Sequence, residues 1–105
     1  MILEVFSKEE WIRVFFEMRG KYPKIGIIEA IQKNQQGYNI LTTGIILSFI
    51  SDNNIVNYIE MVGSCLLESE TEQKEIRSIV ESKIKEIKNL ASKNGIELND
   101  GIWKQ

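Results

Sequence analysis

The stretch KIGIIEAIQKNQQGYNILTTGIILSFISDNNIVNYIEMVGSCLL, residues 24–67, decides the fold. Two clusters of turn-forming residues, Asn34-Gln35-Gln36-Gly37 and Ser51-Asp52-Asn53-Asn54, divide it into three isoleucine-rich runs. Branched side chains of this kind fit a pleated, half-buried surface. Gly37 suits the left-handed position of a short hairpin loop, and Asp and Asn tolerate the positive φ of a tight turn. Residues 24–33, 38–50 and 55–67 therefore read as the strands of an antiparallel meander. The third run also fits a helix starting near Asn54, because Ile55, Tyr58, Ile59, Val62 and Leu66 recur at helical spacing. Strand is preferred because the branched content and the preceding turn agree.

Pairing Asn34 with Tyr38 and Ser51 with Asn54 sorts the side chains onto two faces, since successive strand residues point to opposite sides. One face carries Ile25, Ile27, Ile31, Leu41, Ile45, Leu47, Phe49, Val56, Tyr58 and Val62. The other carries Ile28, Ile40, Ile46, Ile50, Ile55, Ile59, Met61 and Cys65. A sheet with one wet face should alternate apolar with polar residues; this one is apolar on both sides.

Outward from the meander, residues 8–19 read as a helix. Ser7-Lys8-Glu9-Glu10 has the form of a capping box, Phe6 and Trp11 stand at hydrophobic-staple positions, and Trp11, Val14, Phe15 and Met18 make an apolar stripe. Gly20 suits the left-handed position after the helix, and Pro23 prevents continuation. Ile2 to Phe6 reads as a short leading strand. On the other side, Ser69-Glu70-Thr71-Glu72 forms a second capping box ahead of a long helix. Its stripe is Ile76, Ile79, Val80, Ile84, Ile87, Leu90 and Ala91, and Asn94-Gly95-Ile96 ends it. Ile96 to Leu98 reads as a short edge strand, Asn99-Asp100-Gly101 as a turn, and Ile102-Trp103 as a segment packing back onto the body.

These elements make one α+β domain over residues 1–105: strand, helix, three-strand meander, helix, short strand. The order resembles a ferredoxin-like pattern with an extra strand, on architecture alone. A chain of 105 residues suffices for one core without disulfides or metal. Cys65 is the single cysteine, so no internal disulfide can form and no oxidising compartment is implied. The start lacks a basic segment followed by an apolar run, so no signal peptide is read. The uncharged stretch 34–51 is too polar to span a membrane. A cytoplasmic protein is expected. Eighteen isoleucines, with Glu and Lys in excess over Asp and Arg, fit an AT-rich genome or a thermophile. The size and composition also suit a virus- or plasmid-encoded accessory protein.

The net charge is −2 and neither half is polybasic, so bulk charge gives no strong phosphate-binding field. Histidine is absent, which excludes a His-assisted serine or cysteine nucleophile. A lone cysteine without histidine does not suggest zinc, and no phosphate-cradling glycine loop occurs. Glu29 and Glu60 interrupt apolar strands on one face, two strands apart. Their backbones should lie roughly 11–12 Å apart, beyond the usual reach of two acids sharing one bond. Each is read as an edge residue or a lysine partner, and Cys65 as buried and unreactive. No catalytic residue, cofactor or metal is expected.

Two surfaces remain. If both helices cover one face, the other needs a partner, and Ile28, Ile40, Ile46, Ile50, Ile55, Ile59 and Met61 should mediate self-association as a homodimer. If the helices split, one per face, the chain is a monomer. Arg13, Arg19, Lys21 and Lys24 around Tyr22 form a basic cluster that could touch phosphates while Tyr22 stacks on a base. The same residues also suit a helix C-terminus, where the dipole favours cations. The leading expectation is a non-enzymatic adaptor, inhibitor or complex subunit with a protein partner, the second a nucleic-acid-binding protein, and the third an enzyme subunit completing a site at a shared interface.

Overall fold

The computed structural model describes residues 8–103. The elements follow in the order α1 (Lys8–Glu17), β1 (Lys21–Lys33), β2 (Asn39–Ser51), β3 (Asn54–Leu66), α2 (Glu70–Lys93) and β4 (Asn99–Asp100). They form a four-stranded sheet ordered β3-β2-β1-β4 with two helices, an α+β fold. The leading strand expected at Ile2 to Phe6, and the Ser7 and Phe6 halves of the first cap, lie outside the described residues.

The meander forms with the expected register. The Asn34 amide donates to the Tyr38 carbonyl at 2.9 Å, and the Asn34 side-chain oxygen accepts from the Gln36 and Tyr38 amides at 3.0 and 2.9 Å. Gly37 takes the left-handed position, with φ of 85°. Asp52 and Asn53 hold φ of 50° and 66° and turn β2 into β3 with Ser51 opposite Asn54. Residues 54–66 are strand throughout.

Both helices pack on the same face. Trp11 and Phe15 of α1 and Ile76, Val80, Ile87 and Ala91 of α2 share one core with Ile25, Ile45, Leu47, Phe49 and Val62. Trp11 meets Tyr58 edge-on with ring centroids 4.7 Å apart, and Phe15 meets Phe49 likewise at 5.4 Å. Among the described residues no helix packs on the second face.

Several local expectations are corrected. First, Cys65 belongs to the core, not the second face. Gly44 pairs with Met61 but Thr43 with Gly63, so Val62 is an extra residue on β3. Such a bulge reverses the facing of everything after it, and parity counted through it misplaces Cys65. Second, α1 stops at Glu17, and Arg19, not Gly20, takes the left-handed position, with φ of 52°. The Gly20 amide donates to the Phe15 carbonyl and the Arg19 amide to that of Phe16, both at 3.0 Å. Gly20 is required by space instead: a β-carbon there would lie 2.5 Å from the Phe15 ring and 2.7 Å from that of Phe49. Third, Ser69 makes no side-chain cap hydrogen bond; the Gln73 amide donates to the Ser69 carbonyl at 3.1 Å and the Gln73 side chain to the Leu67 carbonyl. The far end of α2 closes as expected, with Gly95 at φ of 76° and the Ile96 amide on the Ala91 carbonyl at 2.8 Å. Fourth, the last strand is Asn99–Asp100, expected as a turn, while Ile96 and Leu98 are buried core residues. β4 pairs parallel with β1, Lys24 opposite Asn99, which makes the sheet mixed. β1 itself starts earlier than expected, at Lys21, with an irregularity between Lys21 and Lys24.

Candidate interaction surface

The register arranges the second face in cross-strand rows. Ile50 stands opposite Ile55, Ser48 opposite Asn57, Ile46 opposite Ile59, Gly44 opposite Met61, Thr42 opposite Ser64 and Ile40 opposite Leu66. Ile28 and Ala30 of β1 extend the rows through Gly44 and Thr42. Ile55 is 75% exposed and Ile59 46%; Ile50 and Leu66 are exposed as well, and Ile28, Ile40 and Met61 are half-buried. Ile46, in the centre, is buried. Thus the residues expected on this face lie there, except Cys65. Trp103 folds onto this side: a β-carbon on Gly26 would lie 2.6 Å from its ring. Ile102 is 87% exposed.

The basic cluster sits at the corner between α1 and β1. Arg13 is drawn away from it, bonding Glu10 and approaching Glu17 at 3.7 Å. Arg19, Lys21 and Lys24 form no ion pair with a described residue. Tyr22 has φ of 55° and is 75% exposed. Left-handed backbone is uncommon for bulky residues, and here it turns Tyr22 outward just before Pro23. The sequence signalled a basic corner but not this conformation.

Glu29 and Glu60 share the helix-covered face, opposite Thr43 and Ile45 of β2 respectively. Glu29 bonds Arg77 of α2 at 3.1 Å, where a lysine partner was one expectation. With Arg77 it lines a groove of about 550 Å3 beside β1, together with Ile27, Ile31, Ile84 and Trp103. Burial, and then the nearby Glu60, push the Tyr58 hydroxyl pKa up. The Cys65 thiol is likewise pushed up, by burial first and then by Glu72. Among the described residues no cluster of acids and cysteines is placed to hold a metal ion, and no helix is long and apolar enough to cross a membrane.

The groove was not legible in sequence, because it arises where the very short β4 leaves β1 uncovered. No family model, curated protein or solved structure gives a significant match to the chain.

Proposed function

We propose that this chain is a small non-enzymatic interaction protein of the cytoplasm, an adaptor, inhibitor or complex subunit, that self-associates through the second face of its sheet. One observation carries the reading: α1 and α2 share the first face, while Ile50, Ile55, Ile59 and Leu66 stand in water on the second. Exposed apolar rows, here separated by Ser48 with Asn57 and by Thr42 with Ser64, are covered when the face meets a partner, as exposed apolar surface at interaction sites is. A two-fold dimer sets the patch against itself. The absence of histidine and the Arg77 bond on Glu29 support a non-catalytic role.

Sedimentation equilibrium tests it. The wild type is expected to exceed the 12.1 kDa of one chain. Ile55→Asp with Ile59→Asp should weaken association by at least about tenfold per residue, since burying one isoleucine contributes roughly 1.5–3 kcal/mol. A wild type that stays monomeric at high concentration refutes the proposal.

A second reading rests on the corner, where Tyr22 stands outward between Lys21 and Lys24. There single-stranded nucleic acid would stack on Tyr22 and set its phosphates against Arg19 and Lys21. Arg19→Glu and Lys21→Glu should each weaken binding and lower the salt dependence by about one phosphate contact. No binding of DNA or RNA by the wild type at low salt ends this reading.

A further inference from the structure

β1 runs from Lys21 to Lys33, yet β4 pairs only with Lys24 and Ile25. The Gly101 amide donates to the Ile25 carbonyl at 2.9 Å, so the backbone groups of Ile25 point away from β2. In an antiparallel strand the groups of alternate residues point the same way. Those of Ile27, Glu29, Ile31 and Lys33 therefore face outward, with no described strand beside them. Ile31 is 53% exposed at this edge. Unpaired strand edges are templates for pairing with another chain, and charges on them usually oppose it.

Here the two edge charges have opposite signs and flank Ile31 symmetrically, Glu29, whose carboxylate also bonds Arg77 at 3.1 Å, two residues before it and Lys33 two after. We infer that β1 pairs antiparallel with β1 of a second copy about a two-fold axis at Ile31. This register sets Ile31 against Ile31 and Glu29 of each copy against Lys33 of the other. An axis at Glu29 would oppose two glutamates, which destabilises a strand pair. An axis at Ala30 would oppose Glu29 to Ile31 and Lys33 to Ile27, leaving each charge against an isoleucine. Only the axis at Ile31 matches both charge and apolarity. The contact joins the two sheets into one and leaves the second faces of both copies free, so it is separate from the association proposed above. Edge and face contacts together would build a tetramer of two edge-paired dimers.

Cross-linking tests the register. In a Cys65→Ser background, Ile31→Cys should form a disulfide-linked dimer under mild oxidation. A hydrogen-bonded antiparallel pair places its α-carbons about 5.5 Å apart, inside the disulfide range. Ile27→Cys should not, because position 27 does not face its own copy. Glu29→Lys and Lys33→Glu should each weaken the edge contact roughly tenfold by opposing like charges twice. In an Arg77→Gln background, which removes the partner of Glu29 within its own chain, the double variant Glu29→Lys with Lys33→Glu should restore the cross-linking of Ile31→Cys. Ile55→Asp with Ile59→Asp should leave that cross-link intact while removing the face contact, so the two proposals fail independently. No disulfide at position 31, equal cross-linking at position 27, or no restoration by the charge swap overturns the edge pairing.

Discussion

Trp11→Ala is expected to lose about 3–5 kcal/mol of stability, the range for emptying a large aromatic site in a core. Trp11 is almost completely buried and meets Tyr58 edge-on, so its loss leaves a void between α1 and β3. For a domain of this size the loss corresponds to a fall in Tm of roughly 12–25 °C. That is a large share of the whole margin of a small domain, which is about 5–15 kcal/mol. Urea denaturation checks the value. Ile102→Ala, at a side chain in open water, is the control and should stay within about 0.5 kcal/mol of wild type. A Trp11→Ala variant as stable as that control would show that α1 does not belong to the core.

Gly44→Ala is expected to be the other strongly destabilising change. A β-carbon at Gly44 would overlap the Glu60 carbonyl oxygen and lie 2.9 Å from the Met61 α-carbon. Both are backbone atoms, so no side-chain rotation relieves the contact. Overpacking of this kind costs typically about 1–3 kcal/mol. The site also abuts the bulge at Val62 that turns Cys65 into the core. If the clash opens the β2–β3 pairing there, the thiol loses its cover. Gly44→Ala should therefore both melt lower and react faster with a thiol reagent under native conditions. Unchanged melting and unchanged thiol reactivity would refute the role assigned to Gly44. In the wild type, burial raises the Cys65 thiol above its ordinary value. Its contribution to stability is then present below the unfolded thiol's pKa and is lost as pH rises through the raised one.

The meander was legible because each strand carries its own local signals. Gly37, Asp52 and Asn53 fix the turns by backbone conformation, and a turn fixes the register of the strands it joins. The sides of Ile28, Ile46, Ile55 and Ile59 followed directly. Parity failed at Cys65 because a bulge is a property of two strands together: Gly44 on β2 accommodates an extra residue on β3. The cap at Ser69 failed for a similar reason. Its residues favour a side-chain bond, but the Gln73 side chain reaches back to the Leu67 carbonyl at this helix start.

The candidate surfaces divide in the same way. The apolar excess on both sides of the sheet was visible in the isoleucines themselves. Which side the helices would take was open, because an apolar stripe such as Ile76, Val80 and Ile87 is complementary to either face. Likewise Glu29 and Lys33 are visible as charges in a strand, but not as edge residues until the position of β4 is known.

By itself the sequence determined the three strands of the meander, the two turns between them, the two helices and the surplus of apolar side chains, because all of these follow from backbone preferences and periodicity over short spans. The tertiary structure alone decided that α1 and α2 share one face, that Val62 bulges, and that β4 stops after two residues and leaves β1 open. Those outcomes depend on packing between segments far apart in the chain, where contacts are set by the shape of the assembled core and not by the preference of any one residue.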